Sequence, residues 1–474
     1  MADVIVVGAG LGGLSAAIAL AAAGRKVRVL EALDRPGGKA GVVTVDGASF
    51  DTGPSVLTLP DVFASLLALA GMKLEDHARL RSPSPAFRYA WADGAALDVH
   101  PSVDGTLDAV REAFGASAEA EFSSYLAYAK GLWERGAERF VRGPAPSAHL
   151  LLSPRNLFAL ASLDPFTTLQ ATIDARVREP HLRSLLLRYA TYNGSDPRRT
   201  PGTLGCIAHV ELGLGGFGVE GGIGALVDAL ALAAARLGVE LSCGTPVRKI
   251  AIVAGRVVGV EVDHGQIATE TVIVNADAAA GLVPASPARE RSTSGWTCVV
   301  RATRRPRVAH AVVFPADYDA EFVDLFDRRR VPADPTVYAC AQGVAHGRPG
   351  WDDGEPVFLM ANAPAEGPEP TSAAVWSTLR GKVLARAVAA GLVDAGDPVV
   401  WERTATDLAA RFPGTSGAIY GPASHGAMSA FQRSANRTRV RGLYLASGSA
   451  HPGGGMPLCA LSGRAAANAV LEDQ

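Results

Sequence analysis

Val4-Ile5-Val6-Val7 is an unbroken β-branched run near the start of the chain, the pattern of a strand buried on both faces. Lys26-Val27-Arg28-Val29-Leu30 reads as the next strand, after a stretch of small apolar residues that suits a packed helix. From 58 to 72, apolar residues recur at helical spacing and predict a helix. Phe87-Arg88-Tyr89-Ala90-Trp91 and Ala96-Leu97-Asp98-Val99-His100 flank the turn Ala92-Asp93-Gly94 and predict a hairpin. Residues 106 to 190 are mainly helical in pattern, with breaks at Gly143-Pro144-Ala145-Pro146 and at Pro165. Within them, Leu150-Leu151-Leu152 and Leu157-Phe158-Ala159-Leu160-Ala161 are apolar but too short to cross a bilayer. They are either buried core helix or an interfacial membrane contact.

Glycine-rich patterning returns at Gly221-Gly222-Ile223-Gly224-Ala225-Leu226, with a helix expected behind it. Strands are expected at 239–242, 245–250, 257–262 and 271–274, the last leading into Asn275-Ala276-Asp277. Residues 285 to 415 are of mixed pattern. Near the end, Leu443-Tyr444-Leu445 reads as a strand, followed by a loop and a helix over 458–471. The predicted fold class is therefore α/β. A Rossmann-like cofactor domain is expected from 1–75, 216–284 and 425–474. A mixed α+β substrate domain is inserted as 76–215 and 285–424, with its helical part at about 106–190 facing a membrane.

The first strand ends in Gly8-Ala9-Gly10-Leu11-Gly12-Gly13, and Glu31 closes the second. Gly8 permits the tight turn, Gly10 lets the backbone approach a pyrophosphate, and Gly13 lets the helix pack on the strand. The helix N-terminus then offers free N–H groups to phosphates. Glu31 stands where a carboxylate can accept bonds from a ribose. Together these parts predict a bound dinucleotide. The chain continues Ala32-Leu33-Asp34-Arg35-Pro36-Gly37-Gly38-Lys39, where flexible backbone and one cation follow the ribose acid. Taken alone, Gly37-Gly38 also has the lesser reading of a plain loop.

Composition narrows the partners. A net charge of −2 over 474 residues implies no nucleic-acid partner. With 48% hydrophobic and 19% charged residues, the chain is apolar enough to spare a lipid-binding surface. No run of 18 apolar residues occurs, so no transmembrane helix is expected, and no basic leader precedes the first strand. The five scattered cysteines lack metal spacing and read as buried hydrophobes in a reducing compartment. No metal site and no serine or cysteine triad is expected. The expected location is the cytoplasm, peripherally on the inner face of the cell membrane.

Gly37-Gly38-Lys39 together with Phe50-Asp51-Thr52-Gly53-Pro54-Ser55 resembles the flavoprotein group of amine oxidases and carotenoid desaturases, which implies FAD rather than NAD. Val219-Glu220-Gly221-Gly222, Val274-Asn275-Ala276-Asp277, Asp334-Pro335-Thr336-Val337-Tyr338 and His451-Pro452-Gly453-Gly454-Gly455-Met456-Pro457 extend the resemblance over nearly the whole length. They resemble bacterial carotenoid desaturases of the phytoene-desaturase type. The resemblance implies an amine-oxidase-like flavoprotein fold and a long acyclic carotenoid substrate taken from a membrane, with oxygen or a quinone as electron acceptor. Leu458-Cys459-Ala460-Leu461-Ser462-Gly463-Arg464 and Ala190-Thr191-Tyr192-Asn193-Gly194-Ser195 look more like the hydroxyneurosporene and 1-hydroxycarotenoid 3,4-desaturases than like phytoene desaturases.

The residues so implied to hold FAD are Gly8, Gly10, Gly12, Gly13, Glu31, Ala32, Gly37, Gly38, Lys39, Thr52, Gly53, Pro54, Ser55, Val247, Asn275, Ala276, Asp277, Gly448, Ser449, Gly455, Met456, Pro457 and Leu458. His451 is the candidate catalytic residue, at the ring edge or in the channel wall, or else a histidine satisfied by backbone in a tight loop. Asp51 and Glu220 are either proton acceptors or structural. Phytoene desaturation is the alternative activity. An amine or polyene oxidase and a prenyl-lipid carrier like the Rab GDP-dissociation inhibitors are more distant ones. The intact phosphate glycines speak against the carrier.

Overall fold

The computed structural model describes residues 3–146, 162–278, 280–283, 289–304 and 306–473. The apolar stretch 150–160 singled out above lies outside the described residues. A five-stranded parallel sheet carries β1 (Val4–Val7) at its centre. On one side lie β2 (Val27–Leu30) and then Glu240–Ser242; on the other lie Val272–Val274 and then Leu443–Leu445. Every residue of β1 is buried, which is why the run admits no polar position. Strands from both ends of the chain thus share one sheet.

Between β1 and β2 runs α1 (Leu11–Ala22), built almost wholly from small apolar residues and largely buried. The reason is a close helix crossing. The C-terminal helix Met456–Glu472 approaches so tightly that a Cβ on Gly463 would stand 2.1 Å from the Gly12 carbonyl oxygen. The Ser15 hydroxyl donates to the Ala460 carbonyl at 2.6 Å across the same contact. Larger side chains on either helix would separate them.

A second, seven-stranded sheet runs in the order Val399–Arg403, Ser294–Ala302, Glu355–Ala363, Val337–Ala341, His310–Val313, Phe87–Ala90, Ala96–Val99. All its pairings are antiparallel except His310–Val313 with Phe87–Ala90. The predicted hairpin therefore forms its edge. Helices Val103–Phe114, Ala116–Leu132, Leu169–Asp174 and Pro180–Leu187 cover this edge and bury an aromatic core with Tyr89, Phe122, Tyr125, Tyr189 and Phe322. Among the described residues no helix is long and apolar enough to cross a membrane.

Candidate functional site

β1 ends at Val7, and Gly8, at φ 97°, turns the chain into α1. No side chain caps the N-terminus of α1, so its first N–H groups remain available to an anion. A Cβ on Gly13 would stand 2.0 Å from the Gly8 carbonyl oxygen, and one on Gly12 2.4 Å from that of Ala446. Gly10 faces the Asn275 amide instead, with 2.7 Å between its would-be Cβ and Asn275 Oδ1. Gly12 and Gly13 are thus demanded by backbone packing, while at Gly10 a Cβ would meet a side chain. Glu31 accepts from the N–H groups of Ala9 at 2.5 Å and Leu33 at 2.9 Å, which holds its carboxylate over the turn. Ala32 is exposed beside it. Thr245 N–H donates to the Glu31 carbonyl and brings the loop before Val247 to the same edge.

The other segments implied by the resemblance converge on this turn. Gly37 N–H donates to the Ala9 carbonyl at 2.9 Å, laying Gly37-Gly38 against it. Thr52-Gly53-Pro54-Ser55 follows the strand Ala48–Asp51, and Gly53 lies so flat on Lys39 that a Cβ would stand 2.1 Å from the Lys39 carbonyl oxygen. The Asn275 amide donates to the Ala446 carbonyl, and Ala278 N–H donates to the Ser449 hydroxyl at 2.9 Å. Asp277 pairs with Arg291 at 3.1 Å. The C-terminal helix begins at Met456, two residues before the expected Leu458, with Pro457 in its first turn and Gly455, at φ 109°, just ahead of it. Proline suits that place because its missing N–H would have had no helical partner. No side chain caps this N-terminus either.

Three half-buried cations stand beside these segments without an ion pair among the described residues. Lys39 Nζ donates to the carbonyls of Ala418 and Ile419 at 2.7 and 2.9 Å. Arg433 donates to Gly448 O and Pro422 O, and Arg403 to Thr52 O. Burial pulls the Lys39 ammonium down to about 8, with Asp277 partly opposing it, and pulls both guanidiniums down to about 10. Cations bonded to carbonyls, next to two uncapped helix N-termini, are a donor set that fits a dinucleotide with a charged pyrophosphate. Arg403 and Arg433 were not singled out in the sequence, because no motif spacing marks them.

His451 is buried, and its Nε2 lies 3.0 Å from the Gly143 carbonyl oxygen. That acceptor assigns the ring proton to Nε2, leaving the buried Nδ1 without a partner among the described residues. Burial lowers its pKa, so the ring is neutral near pH 7. Asp51 takes the structural reading. It accepts from Ile223 and Gly224 N–H at 2.7 and 3.1 Å and pairs with Arg348 at 3.0 Å. It thereby caps the helix Ile223–Arg236. Glu220 lies on the surface near Arg79. Three of the cysteines are buried as expected, but Cys243 and Cys459 are only half-buried.

The second group the sequence did not single out is a buried polar cluster in the aromatic core. Arg188 Nη1 donates to the hydroxyls of Tyr89 and Tyr192 at 3.1 and 3.2 Å. Glu211, on the short π-helix His209–Gly213, accepts from Tyr189 at 3.0 Å and from Tyr192. The guanidinium stands 5.0 to 5.8 Å from the ring centres of Phe87, Tyr89, Tyr192 and Tyr338. Burial pushes the Glu211 carboxyl upward, opposed by Arg188 and the two tyrosines. Tyr192 belonged to a quoted motif, but nothing in sequence joined it to Arg188 or Glu211.

Residues 11–305 match the family described as flavin containing amine oxidoreductase. The chain is 36% identical to the hydroxyneurosporene desaturase of Rubrivivax gelatinosus, over 99% of this chain and 93% of that protein. It is 34% identical to the hydroxyneurosporene desaturase of Rhodobacter capsulatus, over 100% of this chain and 98% of the relative. A putrescine oxidase structure shares the fold, with a TM-score of 0.65 at 18% identity over 99% of each chain.

Proposed function

The chain belongs to the flavin containing amine oxidoreductase family, and from that membership we propose that it desaturates an acyclic carotenoid, introducing the 3,4 double bond beside a terminal tertiary alcohol. The enzyme is an FAD-dependent oxidoreductase. The observation that carries the carotenoid reading is the full-length relation to two proteins named hydroxyneurosporene desaturase. The aromatic and aliphatic core packed on the second sheet is a surrounding compatible with a long polyene. An amine is disfavoured there. The ring faces that could enclose an ammonium already enclose Arg188, whose fixed charge would repel it.

Bound FAD supplies the hydride acceptor, so the chain's own tasks are positioning and exclusion of water. In this reading 1–75, 216–284 and 425–474 hold most of the cofactor, with Arg403 reaching it from the other part, and 76–215 with 285–424 hold the substrate. With FAD bound, the open N-terminus at Met456 would offer its positive dipole end to negative charge on the cofactor. His451, neutral and tied to Gly143, has its free Nδ1 lone pair as the atom able to take a proton. Delivery of an insoluble polyene calls for peripheral docking on the inner face of the cell membrane through the helical part at about 106–190. Oxygen or a quinone would serve as the electron acceptor.

Product formation from phytoene, lycopene and 1-hydroxylated acyclic carotenes, measured side by side in liposomes, tests the activity. A clear preference for the hydroxylated chains is expected. Equal conversion of phytoene would make it a phytoene desaturase. Cosedimentation with liposomes should survive high salt, because the net charge is only −2 and insertion is apolar. Absence of binding at every salt concentration would remove the membrane part of the reading.

A further inference from the structure

Resting on the carotenoid reading above, we infer that Arg188, Tyr192 and Glu211 form the specificity-determining element that receives the substrate's tertiary hydroxyl. The substrate's own chemistry states where such an element must be. The hydroxyl on C1 is only two carbon–carbon bonds from C3, one of the two carbons that react. Whatever binds it must border the flavin and cannot lie at the far end of a long channel.

The cluster meets that condition through two contacts with segments assigned to FAD. On one side, the Tyr338 hydroxyl and the Cys340 thiol lie beside the Ser55 hydroxyl, and Tyr338 is one of the rings around Arg188. The next residue, Val56, abuts Gly216, whose would-be Cβ stands 3.0 Å from Val56 and 3.3 Å from Glu211 Cγ. On the other side, the short helix Arg188–Asn193 ends at Gly194, in the left-handed region at φ 62°. A Cβ there would stand 2.9 Å from the Tyr420 ring, and the Tyr420 backbone in turn abuts Gly454 of the glycine tail.

The chemistry of the cluster suits an alcohol, which both donates and accepts. Among the described residues, Nε and Nη2 of Arg188 donate to no acceptor, so the guanidinium keeps donors to spare. Arg188 retains 8% exposure, and Tyr192 and Tyr338 are half-buried, so the cluster as a whole is not fully enclosed by protein. The Glu211 carboxylate accepts from two tyrosines and has lone pairs for a third donor. Arg188 and Glu211 do not pair directly; the Tyr192 hydroxyl spans them. A pair already neutral as a whole favours a neutral hydroxyl over a charged ligand. A plain hydrocarbon end would leave these groups desolvated and unanswered.

The test compares kcat/KM for a 1-hydroxylated acyclic carotenoid with that for the same chain lacking the hydroxyl. Wild type, Tyr192→Phe and Glu211→Gln are measured as flavin-loaded enzymes in liposomes. In each variant the ratio of the two values is expected to fall by about 10- to 100-fold, the loss falling on the hydroxylated substrate. A ratio that stays as in wild type, or an equal loss on both substrates, overturns the inference and leaves the cluster a structural one. Should one variant fail to retain flavin, the other decides. If wild type itself turns over neither carotenoid, the carotenoid reading fails, an outcome distinct from an unchanged ratio.

Discussion

The molecule buries positive charge in two regions and balances it in opposite ways. In the cofactor cleft, Lys39, Arg403 and Arg433 are bonded to carbonyl oxygens and make no ion pair among the described residues. In the aromatic core, Arg188 shares the Tyr192 hydroxyl with the carboxylate of Glu211 and lies among four rings. The first region is left electrically incomplete and suits an anionic ligand. The second is complete and suits a neutral one. On the readings proposed above, one chain would sort a pyrophosphate from a polyene alcohol by where it places countercharge.

The strongest way to break the comparison removes the cleft itself. Gly13→Ala puts a Cβ 2.0 Å from a backbone oxygen that cannot yield, so a stability loss at or above about 3 kcal/mol is expected, read as loss of soluble protein or of the thermal transition. Gly10→Val meets the Asn275 side chain first, so the protein should fold but purify without flavin absorbance. Arg188→Met should come next. It strands Glu211 in the core at a cost of about 3–5 kcal/mol by denaturant unfolding. Adding Glu211→Gln should recover part of that loss; a strictly additive double variant would mean the two are not coupled.

A smaller effect concerns Lys39. Its pKa falls from 10.5 to about 8 in the fold, so between those pH values the unfolded chain holds more protons than the folded one. The stability of flavin-free protein should therefore rise with pH from about 8 toward 10.5, with the full penalty present below 8. The gain is on the order of 1 kcal/mol after solvent screening, read as the difference from Lys39→Met. Flavin-loaded protein should show little of it, because phosphate keeps the ammonium charged. The smallest effect is expected at Arg88→Ala, an exposed residue of the strand Phe87–Ala90. Its bonds to Asp98 at 2.6 and 2.7 Å lie in solvent, and the unfolding midpoint should move by no more than about 0.5 kcal/mol equivalent.

Local chemistry was enough to read much of the cofactor side from the chain alone. An unbroken apolar strand, a glycine turn and a helix rich in small residues permit few structures, so Val4–Val7, Leu11–Ala22, the segment at Thr52 and the tail at Gly455 were all legible. Glycines announce themselves because a Cβ would collide nearby. Tertiary structure alone decided how charge is balanced. Arg403 and Arg433 carry no local mark, and their role follows from carbonyls supplied by residues 52, 422 and 448. His451 became a neutral ring tied to Gly143, 308 residues away. The Arg188 cluster draws Tyr89, Tyr192, Glu211 and Tyr338 from four separate segments. A buried ionic group is stable only through partners that complete it in space. Spacing along a chain records the turn that a glycine permits, but not the distant residue that answers a charge.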